Sequence, residues 1–235
     1  MSLQDENMGV MPNPSQYYLE WNSKENAFCY YDKEEGIRKP MKLPFKFVAL
    51  KFMSSVRGYD ETFQGGIYSN EVSDTRTELL RVAYQKNNEE IATGLYAELK
   101  DMLRPIGGKY TRSIYAMSPK GLIINIRLKG EQMLNFKTIE MHGDRWKKEW
   151  IQVSSSQEKE YNGQVYTLPV FEWGGPKTPG DSAKAEANYS IVKGYLASKT
   201  PVMRPSASQP YSVVREVVPV PDFLTSDGND DDLPF

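Results

Sequence analysis

Alternation of apolar and polar residues dominates the first four-fifths of this chain. Tyr17-Tyr18-Leu19-Glu20-Trp21 and Ala27-Phe28-Cys29-Tyr30-Tyr31 flank a polar turn over residues 22–26 and predict a β-hairpin. Residues 41–57 form a long strand-like run. Phe45, Phe47, Ala49, Lys51 and Met53 share one parity, and Lys46, Val48, Leu50 and Phe52 share the other. A strand apolar on both faces is central or stands at the join of a barrel. Residues 65–68 and 72–84 predict two more strands. In residues 109–117 and 122–128 a strand pair surrounds the turn Ser118-Pro119-Lys120-Gly121. There Leu122, Ile124, Ile126 and Leu128 alternate with Ile123, Asn125, Arg127 and Lys129, the pattern of a strand with one buried face. Residues 150–153 and 165–173 predict the last strands, joined by a long polar loop around Asn162-Gly163.

Helical spacing interrupts this series three times. Ile91, Leu95, Leu99 and Met102/Leu103 predict a helix over 89–104, stopped by Pro105 and Gly107-Gly108. Residues 131–142 predict a short helix, and 183–198 an alanine-rich one with Ala187, Ile191, Tyr195 and Leu196 on one side. Many strands with inserted helices define a mainly β, α+β chain: a β-barrel core with helical decorations. Residues 1–16, with Pro12 and Pro14, are expected to be a flexible arm, and 17–200 the folded domain. Residues 201–228 begin with five prolines in 201–221 and predict a stiffened linker. The last segment, 229–235, offers too little apolar surface to offset its ordering entropy and is expected to be disordered.

Composition removes several classes of function. No apolar run approaches the ~20 residues of a membrane helix, and the first residues lack the basic and apolar regions of a secretion signal, so a cytoplasmic protein is expected. Cys29 and His142 are the only cysteine and histidine, too few for a zinc site of four such ligands. A hydrolase would need His142 as its base, and Met141-His142-Gly143-Asp144 is better explained as a helix end. No phosphate-binding glycine fingerprint is present. Carboxylate pairs such as Asp60-Glu61 and Glu89-Glu90 have no metal-specific spacing. A non-enzymatic protein without metal or cofactor is expected.

The net charge of −2 conceals a polarity. Asp222, Asp227, Asp230, Asp231 and Asp232 fall within 221–235, which has no base; the remaining chain holds 29 basic and 26 acidic residues. Residues 37–59 and 102–130 each carry six basic residues and no acid. That local distribution points to nucleic acid.

The chain finishes with Asp230-Asp231-Asp232-Leu233-Pro234-Phe235. A run of carboxylates before an apolar pair suits capture by a pocket with an apolar floor and a basic rim. This peptide resembles the acidic C-terminal peptide of bacterial and bacteriophage single-stranded DNA-binding proteins, with Leu233 where the bacterial proteins usually carry isoleucine. The resemblance covers six to nine residues and is closest in layout to a bacteriophage member. It implies an OB-fold body, a tethering linker, and a tail (Asp230, Asp231, Asp232, Leu233, Pro234, Phe235) that recruits polymerase, helicase, nuclease or recombinase in the cytoplasm of a bacterial host cell. It also implies roles in replication, recombination or repair.

Single strands are held by cations that follow phosphates and by aromatic faces that stack bases. Lys46, Lys51 and Arg57 alternate with Phe47, Phe52 and Tyr59, and Lys109 and Arg112 with Tyr110 and Tyr115. Arg127, Lys129 and Trp146, the last in Arg145-Trp146-Lys147-Lys148, complete the candidate set. Phe45, Phe47 and Phe52 fit a core better than a platform, whereas tyrosines beside lysines suit a half-wet surface. The alternatives are an adaptor that uses the tail without binding DNA, and a metal-dependent DNA-processing enzyme that carries it.

Overall fold

A computed structural model describes residues 11–199. Strand makes up 48 % of them, about twice the usual share, so the architecture is decided by sheet pairing, with a few helices added. The strands are β1 (Tyr17–Asn22), β2 (Ala27–Asp32), β3 (Ile37–Pro40), β4 (Phe45–Asp60), β5 (Gly65–Ser69), β6 (Leu80–Tyr84), β7 (Glu90–Gly94), β8 (Gly108–Met117), β9 (Ile123–Lys129), β10 (Glu149–Tyr161) and β11 (Gln164–Pro176). The helices are α1 (Tyr96–Leu103), α2 (Glu131–Glu140) and α3 (Pro179–Ala197), with a 3₁₀ turn at Gly143–Lys147. They form one open mixed sheet in the order β3-β2-β1-β9-β8-β4-β5-β6-β7, and the β10–β11 hairpin joins it through β4. The β1–β9 pair is parallel; the others are antiparallel.

The long strand β4 organises the fold because it pairs with β10 at its start and with both β8 and β5 further on. A bulge between Ala49 and Lys51 inserts one residue and exchanges the faces beyond it. Phe45, Phe47 and Ala49 enter the main core, and Phe52 then packs on that same side, while Met53 faces the other way. The single parity expected for residues 45–53 is therefore broken at the bulge. The main core lies between the central strands, the β10–β11 hairpin and α2, around Phe28, Phe47, Ile126, Phe136, Ile151 and Phe171. On its far side Trp21 Nε1 donates to the Thr167 carbonyl at 2.8 Å, tying β1 to β11. A second cluster forms where α3 covers one end of the opposite sheet face, and a third where α1 packs on β5–β7.

Further expectations change: the strand expected over 72–84 is confined to β6, Leu80–Tyr84. Residues 90–94 form a strand paired with β6, not the first turn of a helix; Ile91 packs beside Leu99 from a strand. The helix starts at Tyr96, where the Leu95 N–H donates to Glu98 Oε2 at 2.9 Å. The loop expected around Asn162-Gly163 is a two-residue turn, with φ of +49° and +75°, the backbone of a type I′ hairpin. Both its strands run 13 residues, because the pairing continues where neither face is buried. On α3 the buried residues are Ala185, Val192 and Tyr195; Ala187 and Ile191 face outward. Among the described residues no helix is long and apolar enough to cross a membrane.

One close approach gives a stability prediction. A Cβ on Gly58 of β4 would stand 1.9 Å from the carbonyl oxygen of Gly107, a backbone atom that cannot turn aside. Gly58→Ala should cost about 2–3 kcal/mol. Gly180→Ala, where the nearest atom is at 3.8 Å on the first turn of α3, should be neutral or slightly stabilising. Urea denaturation of both variants measures the contrast.

Candidate nucleic-acid interface

Cross-strand register gathers the site. On β8 and β9 the even-numbered residues Ile114, Ala116, Ile124 and Ile126 fill the main core, so their odd-numbered neighbours point outward. The outer face then consists of aligned rows: Tyr18 beside Asn125 beside Tyr115 beside Lys51; Glu20 beside Arg127 beside Ser113; Lys129 beside Thr111 beside Ser55; and Lys109 beside Arg57. Helix α3 covers the apolar end of this face, around Val48, Leu50, Met53, Met117 and Ile123. The end it leaves uncovered carries most of the cations.

The floor of this end is polar and incompletely satisfied. Ser55, Ser113 and Asn125 are 0 % exposed. Among the described residues neither serine hydroxyl has a hydrogen-bond partner, nor does either amide atom of Asn125, nor Nε of Arg57 or Arg127. Buried polar groups in native proteins are paired in about nine cases of ten or more, so six such atoms on three neighbouring strands set this floor apart. Arg127 Nη1 lies 3.4 Å from Glu20 Oε1, and its guanidinium rests over the Tyr18 ring at 4.2 Å. Lys129 is 3.7 Å from Glu20 Oε2. Arg57 makes no ion pair among the described residues.

The charges tune one another. Burial lowers the pKa of the Arg57 guanidinium, and the nearby Arg127 charge pushes the same way. For Glu20, burial acts upward but Lys129 and Arg127 outweigh it, leaving the carboxyl below its ordinary range. Burial raises the pKa of the Tyr18 hydroxyl. At the border with α3, Tyr115 donates to Glu71 Oε2 at 2.6 Å and Lys199 lies 3.1 Å from the same oxygen. Burial would raise Glu71, yet Lys199 and the Tyr115 hydroxyl hold it low.

The sheet divides the residues expected to bind together. Lys51, Arg57, Tyr59, Lys109, Arg127 and Lys129 stand on the outer face by register, with Tyr59 52 % exposed. Tyr110, Arg112 and Trp146 lie on the opposite side. There Arg112 contacts Glu140 at 2.9 Å and Ser54 Oγ at 3.1 Å, and Trp146 packs on Phe52 with ring centroids 4.8 Å apart. A cavity of ≈ 210 Å³ opens beside them between β8 and α2. Lys46 donates to the Gly174 carbonyl at 3.3 Å on the β11 side. Tyr115 belongs to the outer face, but its ring is fully buried and its hydroxyl is used by Glu71. The stacking platform expected of it is thus replaced by a structural role. Tyr18, 36 % exposed, is the aromatic that sequence reasoning missed here, along with Asn125, Ser113 and Ser55. The polar parity of residues 123–129 was the available signal.

His142 is exposed, with its ring 5.8 Å from that of Trp173, and Cys29 is buried. Among the described residues no three or more His, Cys, Asp or Glu side chains gather where a metal ion could be held. The peptide Asp230 to Phe235 and the 201–228 linker lie outside the described residues. No protein-family model, curated protein or solved structure matches this chain.

Proposed function

We propose that this protein binds single-stranded DNA without sequence preference on the outer β4–β8–β9 face, in replication, recombination or repair of a phage genome inside a bacterial cell. Asp230 to Phe235 then recruits a partner enzyme. The observation that carries the reading is the cation-rich floor with buried polar atoms that lack partners among the described residues: Nε of Arg57 and Arg127, the Ser55 and Ser113 hydroxyls and both amide atoms of Asn125. Lys109 and Lys129 extend it along the strands, and Tyr18 and Tyr59 offer exposed rings.

Connectivity supports an OB-like core. In this reading β4, β8, β9, β10 and β11 correspond to the five strands of an OB-like core, with the long first strand pairing both the second and the fourth. Strand β9 pairs β1 and not β11, so the sheet stays open. Helix α2 falls between the third and fourth strands, and β5–β7 with α1 are an insertion after the first. OB-fold barrels bind oligonucleotides on the face of their second and third strands. Here those strands are β8 and β9, which carry Lys109, Arg127, Lys129 and the unpartnered Asn125 and Ser113. The acidic tail supports the same family from a separate part of the chain.

Titration of the full chain with labelled oligothymidine tests the reading. Binding should weaken linearly in log–log form as salt rises, with no cleavage when Mg²⁺ is added. Arg57→Ala should reduce the magnitude of that salt slope by about 0.7, the share of one phosphate on a single strand. Absence of binding at low salt favours the adaptor instead, and cleavage with Mg²⁺ the enzyme.

A further inference from the structure

We propose that Asn125 makes this interface select unpaired strands, by pairing its side-chain amide with the Watson–Crick edge of one base. The inference rests on the single-stranded DNA reading above. Asn125 sits on β9 with no exposed surface, and among the described residues neither its Nδ2 nor its Oδ1 has a partner. Its occupant must therefore bring an acceptor and a donor side by side. A phosphate brings only acceptors and would leave Oδ1 facing like charge. An apolar side chain brings neither.

A base edge brings both. Adenine offers N6–H and N1, cytosine N4–H and N3, guanine N1–H and O6, and thymine N3–H and O4. In each, one donor adjoins one acceptor at the spacing an amide can meet with two parallel hydrogen bonds. One asparagine can thus accept any of the four bases, which fits binding without sequence preference. In a duplex those same atoms are already spent on the complementary strand. The requirement for a free edge separates single strands from double without reading sequence.

The surroundings fit a bound nucleotide. Tyr18 lies across from Asn125 on β1, partly exposed, with Arg127 over one face of its ring and the other face the candidate for a base to stack upon. Ser113, also unpartnered, sits on the adjoining strand in register with Arg127. Arg127, Arg57 and Lys129 supply donors for the flanking phosphates.

The test compares oligothymidine with the same oligomer built from N3-methylthymidine. Methylation keeps the phosphates and the stacking ring but removes the N3–H donor. The full-length wild-type chain should bind the methylated oligomer at least about ten-fold more weakly, the effect of a buried polar group left unpaired. Asn125→Ala should bind the two alike, since it has no amide to disappoint and more room for the methyl group. Equal wild-type affinity for both oligomers overturns the role of Asn125 and leaves the DNA reading standing. Failure to bind even plain oligothymidine overturns both. The wild-type comparison decides the matter whether or not the variant folds.

Discussion

Asn125→Leu is expected to make the protein more stable and a poorer ligand for oligothymidine. The wild-type side chain holds two polar atoms in a fully buried position without partners, and each such group costs about 1–3 kcal/mol. Leucine has nearly the same shape, presents no polar atom and is well accommodated on a β-strand interior. A gain of about 1–2 kcal/mol corresponds to a rise in Tm of several degrees for a domain of this size. Fluorescence-monitored thermal unfolding, run beside the oligothymidine titration, measures both quantities. Stability and affinity moving in opposite directions identifies a residue kept for binding. If leucine lowered Tm, the amide would be serving the fold, and its role at the interface would lose its physical basis.

Lys199→Ala is expected to cost about 2 kcal/mol at neutral pH. Its partner Glu71 has a side chain only 7 % exposed, whereas the lysine side chain is 28 % exposed. Breaking a wholly buried pair costs about 3–5 kcal/mol, and the partial exposure of Lys199 reduces that figure. The pH dependence follows from the direction of the shift. The ordinary value for Glu71 is 4.5, and in the folded protein Lys199 and Tyr115 overcome burial and hold it lower. Its carboxylate therefore contributes stability that is fully present above pH 4.5 and is lost as pH falls through the folded value. The difference in Tm between wild type and Lys199→Ala should be largest near neutrality and should shrink as the pH is lowered below 4.5. A difference that stays constant down to strongly acidic pH would assign the loss to packing of the lysine stem instead. Because Lys199 follows directly on α3, the same bond pins that helix over the apolar end of the sheet face.

Legibility in the sequence followed the local signals. β1, β2, β8 and β9 were readable because alternation and turn residues coincide there. β3 was not, since Ile37-Arg38-Lys39-Pro40 is short, charged and proline-ended, the composition of a protected edge strand. The start of the predicted 89–104 helix was misread because Ile91 falls at helical spacing from Leu95 and Leu99, yet reaches the same cluster from β7. The outer half of β10, residues 154–161, has no buried position, so periodicity carries no trace of it.

For the candidate site, chain chemistry alone determined the concentration of cations in two acid-free stretches, the scarcity of histidine and cysteine, and the acidic peptide beyond a proline-rich segment. Tertiary structure decided which of those cations share a surface. A period of two says which residues of one strand point the same way, but not which side a helix will cover or where a bulge will exchange the sides. The bulge at Ala49–Lys51 and the placement of α3 made those choices. They put Arg57, Lys109, Arg127 and Lys129 together, sent Arg112 and Trp146 to the opposite face, and buried Tyr115. The unpartnered state of Asn125 was likewise beyond the sequence, because a missing hydrogen bond is a property of everything packed around a residue.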